Sequence, residues 1–175
     1  AQSFRYIIVG GGLTGASAVR GIRELDADGP ILLIGAEQHL PYDRPPLSKK
    51  LWFGKKKLES IFLHDRQFYT DTGVDLLLGS RATGVDPANR TVSAGGSTYR
   101  YEKLLLATGG QPRRLPVPGG DLPGVCYFRT LDDFLTLRDR AQEGATAVVI
   151  GGGFIGSELA AALTIVKAAF KEAGL

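Results

Sequence analysis

The sequence contains one cysteine, two histidines, one tryptophan and no methionine. The lone cysteine, Cys126, excludes an internal disulfide and a dithiol pair for redox chemistry within this chain. It lies in the apolar stretch 125–128, and we predict that it is buried as a small hydrophobic residue. The histidines, His39 and His64, are too few and too isolated for a metal site, so no metal is predicted.

Long apolar runs and strong charge are also absent. No stretch of 18 apolar residues occurs, which predicts that the chain has no transmembrane span. The net charge of +3 is too small to make a nucleic acid the expected partner. No charged-then-apolar leader is visible, so we expect a cytoplasmic location. The alternative is an organelle, after removal of an N-terminal segment.

Glycine, by contrast, is abundant, with 24 residues. Many of them fall in two glycine-rich hexads, Gly10-Gly11-Gly12-Leu13-Thr14-Gly15 and Gly151-Gly152-Gly153-Phe154-Ile155-Gly156. Each hexad follows an apolar run, at 6–9 and 147–150, and opens onto a helical pattern. This is the dinucleotide-binding fingerprint, in which a pyrophosphate lies on the N-terminus of a helix.

Three of the four glycines of the first hexad have separate roles in this motif. Gly10 permits the tight turn out of the strand, Gly12 lets the backbone approach a pyrophosphate, and Gly15 lets the helix pack against the strand. An acidic residue is expected about 20 residues further on, to bind ribose hydroxyls. Glu37 stands just past the predicted second strand and fulfils this expectation.

The hydrophobic pattern predicts an α/β fold. It is a Rossmann-like, doubly wound parallel sheet with an inserted antiparallel β meander, followed by the start of a second Rossmann unit at 146–163. Predicted strands cover 5–10, 31–35, 74–78 and 103–107, with short β segments at 81–85, 91–93 and 97–99. Predicted helices cover 13–25, part of 58–71, and 131–142, the last with Thr130 or Asp132 as N-cap.

The end of the chain departs from the Rossmann order. A second helical run, 164–175, follows the helix of the second unit directly, and Gly174 is the expected helix stop. Either the two runs form one longer helix, or a segment is missing between Leu163 and Thr164. We expect the chain to be a fragment of a larger protein.

A proline-rich loop over 40–49 follows the predicted second strand. We predict that the run Arg44-Pro45-Pro46 is extended, because proline disfavours a helical conformation in the residue before it, and that a helix starts at Leu47-Ser48. Two cations, Arg44 and Lys49, are thereby placed near the first dinucleotide site, where they could stabilise a pyrophosphate or an electron-rich reduced ring.

The combination of these motifs resembles the FAD-dependent pyridine-nucleotide oxidoreductases. Within them it is most similar to the ferredoxin reductases of dioxygenase systems and to the apoptosis-inducing-factor-like flavoproteins. The resemblance runs from residue 4 to about 163. Its elements are the first hexad, Pro41-Tyr42-Asp43-Arg44-Pro45-Pro46-Leu47-Ser48-Lys49, Ala107-Thr108-Gly109-Gly110-Gln111-Pro112-Arg113, Phe128-Arg129-Thr130-Leu131-Asp132-Asp133, and the stretch from Gly151 to Leu163.

The resemblance implies three segments and two cofactors. Residues 1–112 would form the FAD-binding domain, 113–128 a linker, and 129–175 the incomplete start of an NAD(P)-binding domain. FAD would be the bound cofactor and NAD(P)H the substrate, with NADH favoured. The residues implied in FAD binding are Gly10, Gly12, Leu13, Thr14, Gly15, Glu37, Arg44, Lys49, Ala82, Ala107, Thr108, Gly109, Arg113 and Arg129.

The second hexad would bind the nicotinamide nucleotide, through Gly151, Gly153, Phe154, Ile155 and Gly156. The resemblance also implies that Lys49 lies near the isoalloxazine, and that Glu158 lies near the nicotinamide and pairs with Lys49. These two are the candidate catalytic residues.

Three functions remain open at this point. The first is a reductase that passes electrons from NAD(P)H through flavin to a small redox protein, such as ferredoxin or rubredoxin, or to a quinone. The second is a thiol-dependent reductase of the same superfamily, which would need a redox cysteine where this chain has Ser48. The third is an apoptosis-inducing-factor-like flavoprotein whose redox state controls assembly or nucleic-acid interaction. A homodimer is compatible with all three.

Overall fold

The computed structural model describes residues 2–142 and 144–172, with 166–172 described by their backbone alone. The chain forms two compact units. The first consists of Ala1–Asp43 and Phe62–Gly110, and the second of Arg44–Ile61 and Gln111–Leu175. Residues 44–61 belong to the second unit although the segments before and after them in the sequence belong to the first.

The first unit is built on one six-stranded sheet, which confirms the predicted fold class. Its order is β3-β2-β1-β6-β5-β4. Strands β1, β2, β3 and β6 are mutually parallel, whereas β4, β5 and β6 form the predicted antiparallel meander. The strands are β1 (Gln2–Val9), β2 (Ile31–Ile34), β3 (Val74–Leu77), β4 (Ala82–Asp86), β5 (Thr91–Ala94) and β6 (Ser97–Leu106).

Strand β6 corrects the prediction of two separate segments at 97–99 and 103–107. The strand is continuous, because its two hydrogen-bonding edges serve different partners. Residues 97–100 pair with β5 on one edge, and residues 99–106 pair with β1 on the other. Arg100 and Glu102 interrupt the apolar pattern, but both are exposed and alternate with half-buried Tyr99 and Tyr101. Their charge therefore does not end the strand.

The sheet is apolar on both faces. Along β2, residues 31 and 33 face one side and residues 32 and 34 the other, as the two-residue period of a strand requires. One core cluster joins the sheet to the two helices of this unit, and it contains Ile8, Val19, Ile31, Leu33, Tyr69 and Val74. The other lies on the opposite face and contains Phe4, Ile7, Val9, Leu32, Ile34, Val92 and Ala94.

Helices α1 (Leu13–Leu25) and α2 (Arg66–Asp71) belong to the first unit. The predicted bounds of α1 are confirmed. The helix expected within 58–71 is instead two short pieces, a 3-10 helix over Leu58–Ile61 and then α2. The break arises because the Asp65 carboxylate accepts the backbone N–H of Phe68 and starts a new helix there.

The second unit contains α3 (Leu131–Arg140), α4 (Phe154–Glu172) and a 3-10 helix over Pro45–Ser48. The prediction that Arg44-Pro45-Pro46 is extended was wrong, because Arg44 has helical backbone angles and both prolines lie in the 3-10 helix. Thr130 caps α3 in a capping box with Asp133, which selects Thr130 over Asp132 as the N-cap. Helix α4 continues through Leu163 and Thr164, so the two helical runs form one longer helix. The predicted stop at Gly174 lies outside the described residues.

The strand predicted at 147–150 is not formed, which is a second correction. The structure assigns no strand to any described residue of the second unit, so this segment has no neighbour with which to form a ladder. Val148 and Ile150 are 82% and 74% exposed.

No described helix is long and apolar enough to cross a membrane.

Candidate dinucleotide sites

The first glycine hexad forms a tight turn between β1 and α1. Gly10 has a φ of 135°, which side-chain-bearing residues rarely adopt, and a Cβ at this position would overlap the backbone carbonyl of Ala107. A Cβ at Gly15 would overlap the carbonyl oxygen of Gly10. Gly10 and Gly15 are therefore required by the packing of the chain itself.

Gly12 is different, since a Cβ there would meet no protein atom within 4 Å. It is the N-cap of α1, and no side chain caps this helix end. Backbone N–H groups at an uncapped helix start are available to an anion, and the helix dipole favours negative charge there. The arrangement fits a pyrophosphate, which needs the space that a side chain on Gly12 would fill.

Other predicted residues of the first unit lie at the same edge of its sheet. Gly10, Glu37 and Thr108 follow the carboxyl ends of β1, β2 and β6, which are neighbours in the sheet. Ligands bind at such carboxyl ends of the strands in open α/β sheets. The backbone N–H of Ala107 donates to Val9 at 2.8 Å and secures the turn. Ala82 packs on the core cluster that includes Val9.

Glu37 is half-buried, and its carboxylate accepts a hydrogen bond from the Tyr42 hydroxyl. Its backbone carbonyl accepts the N–H of Gly79 at 2.8 Å, which fixes residue 37 beside the end of β3. Its neighbour Ala36 is exposed. Sequence reasoning missed the role of Tyr42, although a tyrosine five residues after the acid was visible within the family motif.

The second hexad repeats the backbone geometry of the first. Gly151 has a φ of 116°, and a Cβ at Gly156 would overlap the carbonyl oxygen of Gly151. A Cβ at Gly153 would meet no protein atom within 4 Å, as at Gly12. The first helical hydrogen bond runs from the Ser157 N–H to the Gly153 carbonyl at 3.0 Å, and its counterpart in the first hexad has the same length. The loop therefore forms without a preceding strand, with Phe154 and Ile155 exposed.

The predicted pair of Lys49 and Glu158 is present within the second unit. The Lys49 Nζ lies 3.3 Å from Oε1 of Glu158, and the Ser48 hydroxyl donates to Oε2 at 2.6 Å. Together these partners hold the pKa of Glu158 below its usual value, with the Ser48 hydrogen bond as the larger cause and partial burial opposing it. Sequence reasoning did not identify Ser48 as a partner of Glu158.

Two further predicted residues of this unit also lie together. The Arg44 guanidinium donates to the backbone carbonyl of Arg129 at 3.1 Å. The backbone of Arg129 is itself held by the Asp133 carboxylate, which accepts its N–H at 2.9 Å. Arg113 is exposed in a segment without helix or strand.

Cys126 is exposed, so the prediction that it is buried was wrong. Its segment belongs to neither helix nor strand. The Sγ atom lies 3.4 Å from the Arg140 guanidinium. Within residues 2–142 and 144–172, no group of three or more His, Cys, Asp or Glu side chains could hold a metal ion.

The sheet and the two glycine loops define an α/β protein of the dinucleotide-binding class. The family model for the pyridine nucleotide-disulphide oxidoreductases matches residues 4–171, and the chain belongs to this family. Family members are FAD- and NAD-dependent oxidoreductases.

Two curated relatives illustrate the similarity. The chain is 39% identical over 171 residues to a rubredoxin-NAD(+) reductase of Pseudomonas putida, covering 93% of this chain and 44% of that protein. It is 41% identical over 154 residues to the ferredoxin–NAD(+) reductase component of a biphenyl dioxygenase system of Paraburkholderia xenovorans, covering 87% and 38%. The chain thus spans about two fifths of the length of these relatives.

A solved structure shows the same similarity in three dimensions. The crystal structure of the covalent putidaredoxin reductase–putidaredoxin complex matches with a TM-score of 0.84 and 35% identity, over 95% of this chain and 41% of that one.

Proposed function

We propose that the protein is an FAD-dependent NADH oxidoreductase that passes electrons to a small iron–sulfur or rubredoxin-type carrier. The observation that carries this proposal is the pair of hexads, which share one backbone geometry and each contain a central glycine with open space at its Cβ position. One dinucleotide loop would fit many enzymes. Two in one chain favour a protein that binds both a flavin and a nicotinamide nucleotide.

Each loop then has its own dinucleotide. Gly12 and the start of α1 would hold the FAD pyrophosphate, while Glu37, oriented by Tyr42, would accept hydrogen bonds from the adenosine ribose. Gly153 and the start of α4 would hold the pyrophosphate of the nicotinamide nucleotide. When bound, FAD would accept a hydride equivalent and release electrons singly.

The other predicted residues keep the roles that the family resemblance implies. Lys49 would stabilise negative charge on the reduced flavin, and Glu158 would hold Lys49 in place. Arg44, Arg113, Arg129, Thr108, Gly109 and Ala82 would contribute further cofactor contacts.

The choice of carrier and coenzyme rests on the relatives described above. They are a rubredoxin reductase, a ferredoxin reductase and a reductase crystallised with putidaredoxin, and two of them are designated NAD(+) reductases. A thiol-dependent reductase is less favoured, because a serine occupies position 48 and Cys126 has no second cysteine. The apoptosis-inducing-factor-like alternative has no comparable support from these relatives.

Two valine substitutions test the assignment of the loops. In the full-length protein, Gly12→Val should leave the far-UV circular dichroism unchanged, because a Cβ at this position meets no protein atom within 4 Å. It should abolish co-purified flavin, because the side chain fills the space that the pyrophosphate would occupy. Gly153→Val should retain flavin and weaken NADH binding by at least about tenfold. Gly21→Ala is the matched control, since its Cβ also meets nothing within 4 Å but lies away from either hexad.

The outcomes separate the two sites. Full flavin occupancy in Gly12→Val would show that the first hexad is only a turn. Unaltered NADH-driven reduction of a ferredoxin or rubredoxin by Gly153→Val would show the same for the second.

A further inference from the structure

Ser48 is buried in the second unit although it is polar. Only 7% of its surface is exposed, and its hydroxyl donates to Oε2 of Glu158 at 2.6 Å. The two residues are 110 positions apart in sequence. A buried hydroxyl costs free energy unless it is hydrogen-bonded. The bond therefore satisfies the Ser48 hydroxyl and also restrains the Glu158 carboxylate.

The backbone around Ser48 is fixed by several hydrogen bonds. Within the 3-10 helix, the N–H of Leu47 donates to Arg44 at 2.9 Å, and the N–H of Lys49 donates to Pro46 at 3.1 Å. The indole of Trp52 donates to the Leu47 carbonyl at 2.7 Å. Ser48 and Lys49 therefore contact Glu158 from a single turn whose backbone is fixed by hydrogen bonds.

The two partners differ in how strongly they can orient the carboxylate. The Lys49 side chain is 51% exposed, and exposed ion pairs contribute little because long side chains lose rotamer freedom and water screens the charges. Ser48 has a short, buried side chain with one rotatable bond to its hydroxyl oxygen. Its bond to a carboxylate is charge-assisted and therefore among the stronger hydrogen bonds.

We propose that Ser48 is a positioning residue: its buried hydroxyl fixes the Glu158 carboxylate so that the second carboxylate oxygen stays aimed at Lys49. This inference rests on the proposed function only in that Lys49 and Glu158 are taken to serve flavin reduction. Lys49 is the charged group that faces Glu158. The hydrogen bond from Ser48 is the largest cause of the lowered pKa of Glu158.

The test is the titration of Glu158 in the purified protein, labelled with ¹³C at the glutamate carboxyls. Glu158→Gln identifies the signal. In Ser48→Ala the pKa of Glu158 should rise towards its ordinary value, whereas Ser48→Thr, which keeps the hydroxyl, should retain the low pKa. Ser60→Ala is the control, because the Ser60 hydroxyl also donates a hydrogen bond within this unit, but to the backbone carbonyl of Lys57 and not to Glu158.

A pKa of Glu158 that is the same in Ser48→Ala as in the unaltered protein would overturn the inference. So would a rise of equal size in Ser60→Ala.

The pH profile of flavin reduction by NADH then separates this inference from the proposed function. Because a protonated Glu158 cannot hold Lys49, Ser48→Ala should shift the acid limb of the rate to higher pH. If the pKa rises and the acid limb does not move, the positioning role of Ser48 stands and the role of the Lys49–Glu158 pair in flavin reduction is contradicted.

Discussion

At the scale of single residues, the glycines of each hexad divide into two kinds. Gly10 and Gly15 are required because a Cβ at either position would overlap a backbone carbonyl. A Cβ at Gly12 would meet no described protein atom within 4 Å, so the packing of the chain does not require glycine there. In the second hexad, a Cβ at Gly156 would overlap the Gly151 carbonyl, and Gly151 has a φ of 116° that favours glycine, whereas Gly153 has neither constraint. A residue whose side chain the protein could accommodate, yet which matches a binding motif, indicates a constraint that comes from a ligand.

Tyr69 gives a test of the core at this scale. Its side chain is 1% exposed, none of the described residues hydrogen-bonds to its hydroxyl, and burial raises its pKa to about 12. Tyr69→Phe removes this unsatisfied group, so we expect the free energy of unfolding to rise by about 1 kcal/mol. Urea unfolding measures the change.

Tyr42→Phe is the matched comparison for Tyr69→Phe. It loses the hydrogen bond to Glu37 and should lower the free energy of unfolding by about 1 kcal/mol. A loss of stability in Tyr69→Phe would contradict the expectation and would indicate that an ordered water satisfies the hydroxyl.

The sequence predicted the ion pair of Lys49 and Glu158 but not the hydrogen bond from the Ser48 hydroxyl to Glu158. The pair followed from the family resemblance, because both residues belong to recognisable motifs. A serine between leucine and lysine carries no pattern that distinguishes a buried hydrogen-bond donor from a surface residue. Burial of Cys126 was inferred from its apolar neighbours, and the inference failed because Tyr127 and Phe128 are half-buried while Cys126 itself is exposed.

At the scale of elements, local pattern predicted α1 and the parallel strands closely. Apolar runs before glycine and a clear helical stripe are short-range signals, and tertiary packing reinforces them here. The errors came where pairing decides the outcome. Strand β6 continues through charged residues because two partners use its two edges, and residues 147–150 stay irregular because no described residue of the second unit forms a strand.

The end of α1 provides a prediction about pH. The Asp26 carboxylate accepts hydrogen bonds from the Arg5 guanidinium and the Tyr6 hydroxyl, each at 2.9 Å, and from the N–H of Gly29 at 2.9 Å. These donors, Arg5 first, hold the pKa of Asp26 well below its usual range. The resulting stability is present above the unfolded pKa of about 3.9 and is lost as pH falls towards the folded pKa.

Asp26→Asn should therefore lower the free energy of unfolding at neutral pH, and the deficit should shrink below about pH 4. Asp28→Asn, in the same loop, is the control, because the Asp28 side chain makes none of these bonds. Urea unfolding across the pH range measures both variants. An equal deficit at neutral and acidic pH would contradict the assignment of stability to this carboxylate.

At the scale of the whole molecule, the family was accessible from sequence because several motifs occur in order along one chain. No single glycine hexad is specific, but two hexads with the proline-rich loop between them are. No comparable sequence motif identifies the electron carrier, because recognition of a protein partner depends on a surface formed by the whole fold. It is proposed here from relatives of which this chain spans about two fifths.

The central claim, that one chain holds flavin at the first loop and receives electrons from a nicotinamide nucleotide at the second, is tested most directly by one measurement. This is the visible absorption spectrum of the purified full-length protein, recorded without oxygen before and after NADH is added. We predict flavin bands that NADH bleaches rapidly in the unaltered protein and slowly in Gly153→Val. Absence of flavin bands, or bands that NADH leaves unchanged, would contradict the claim.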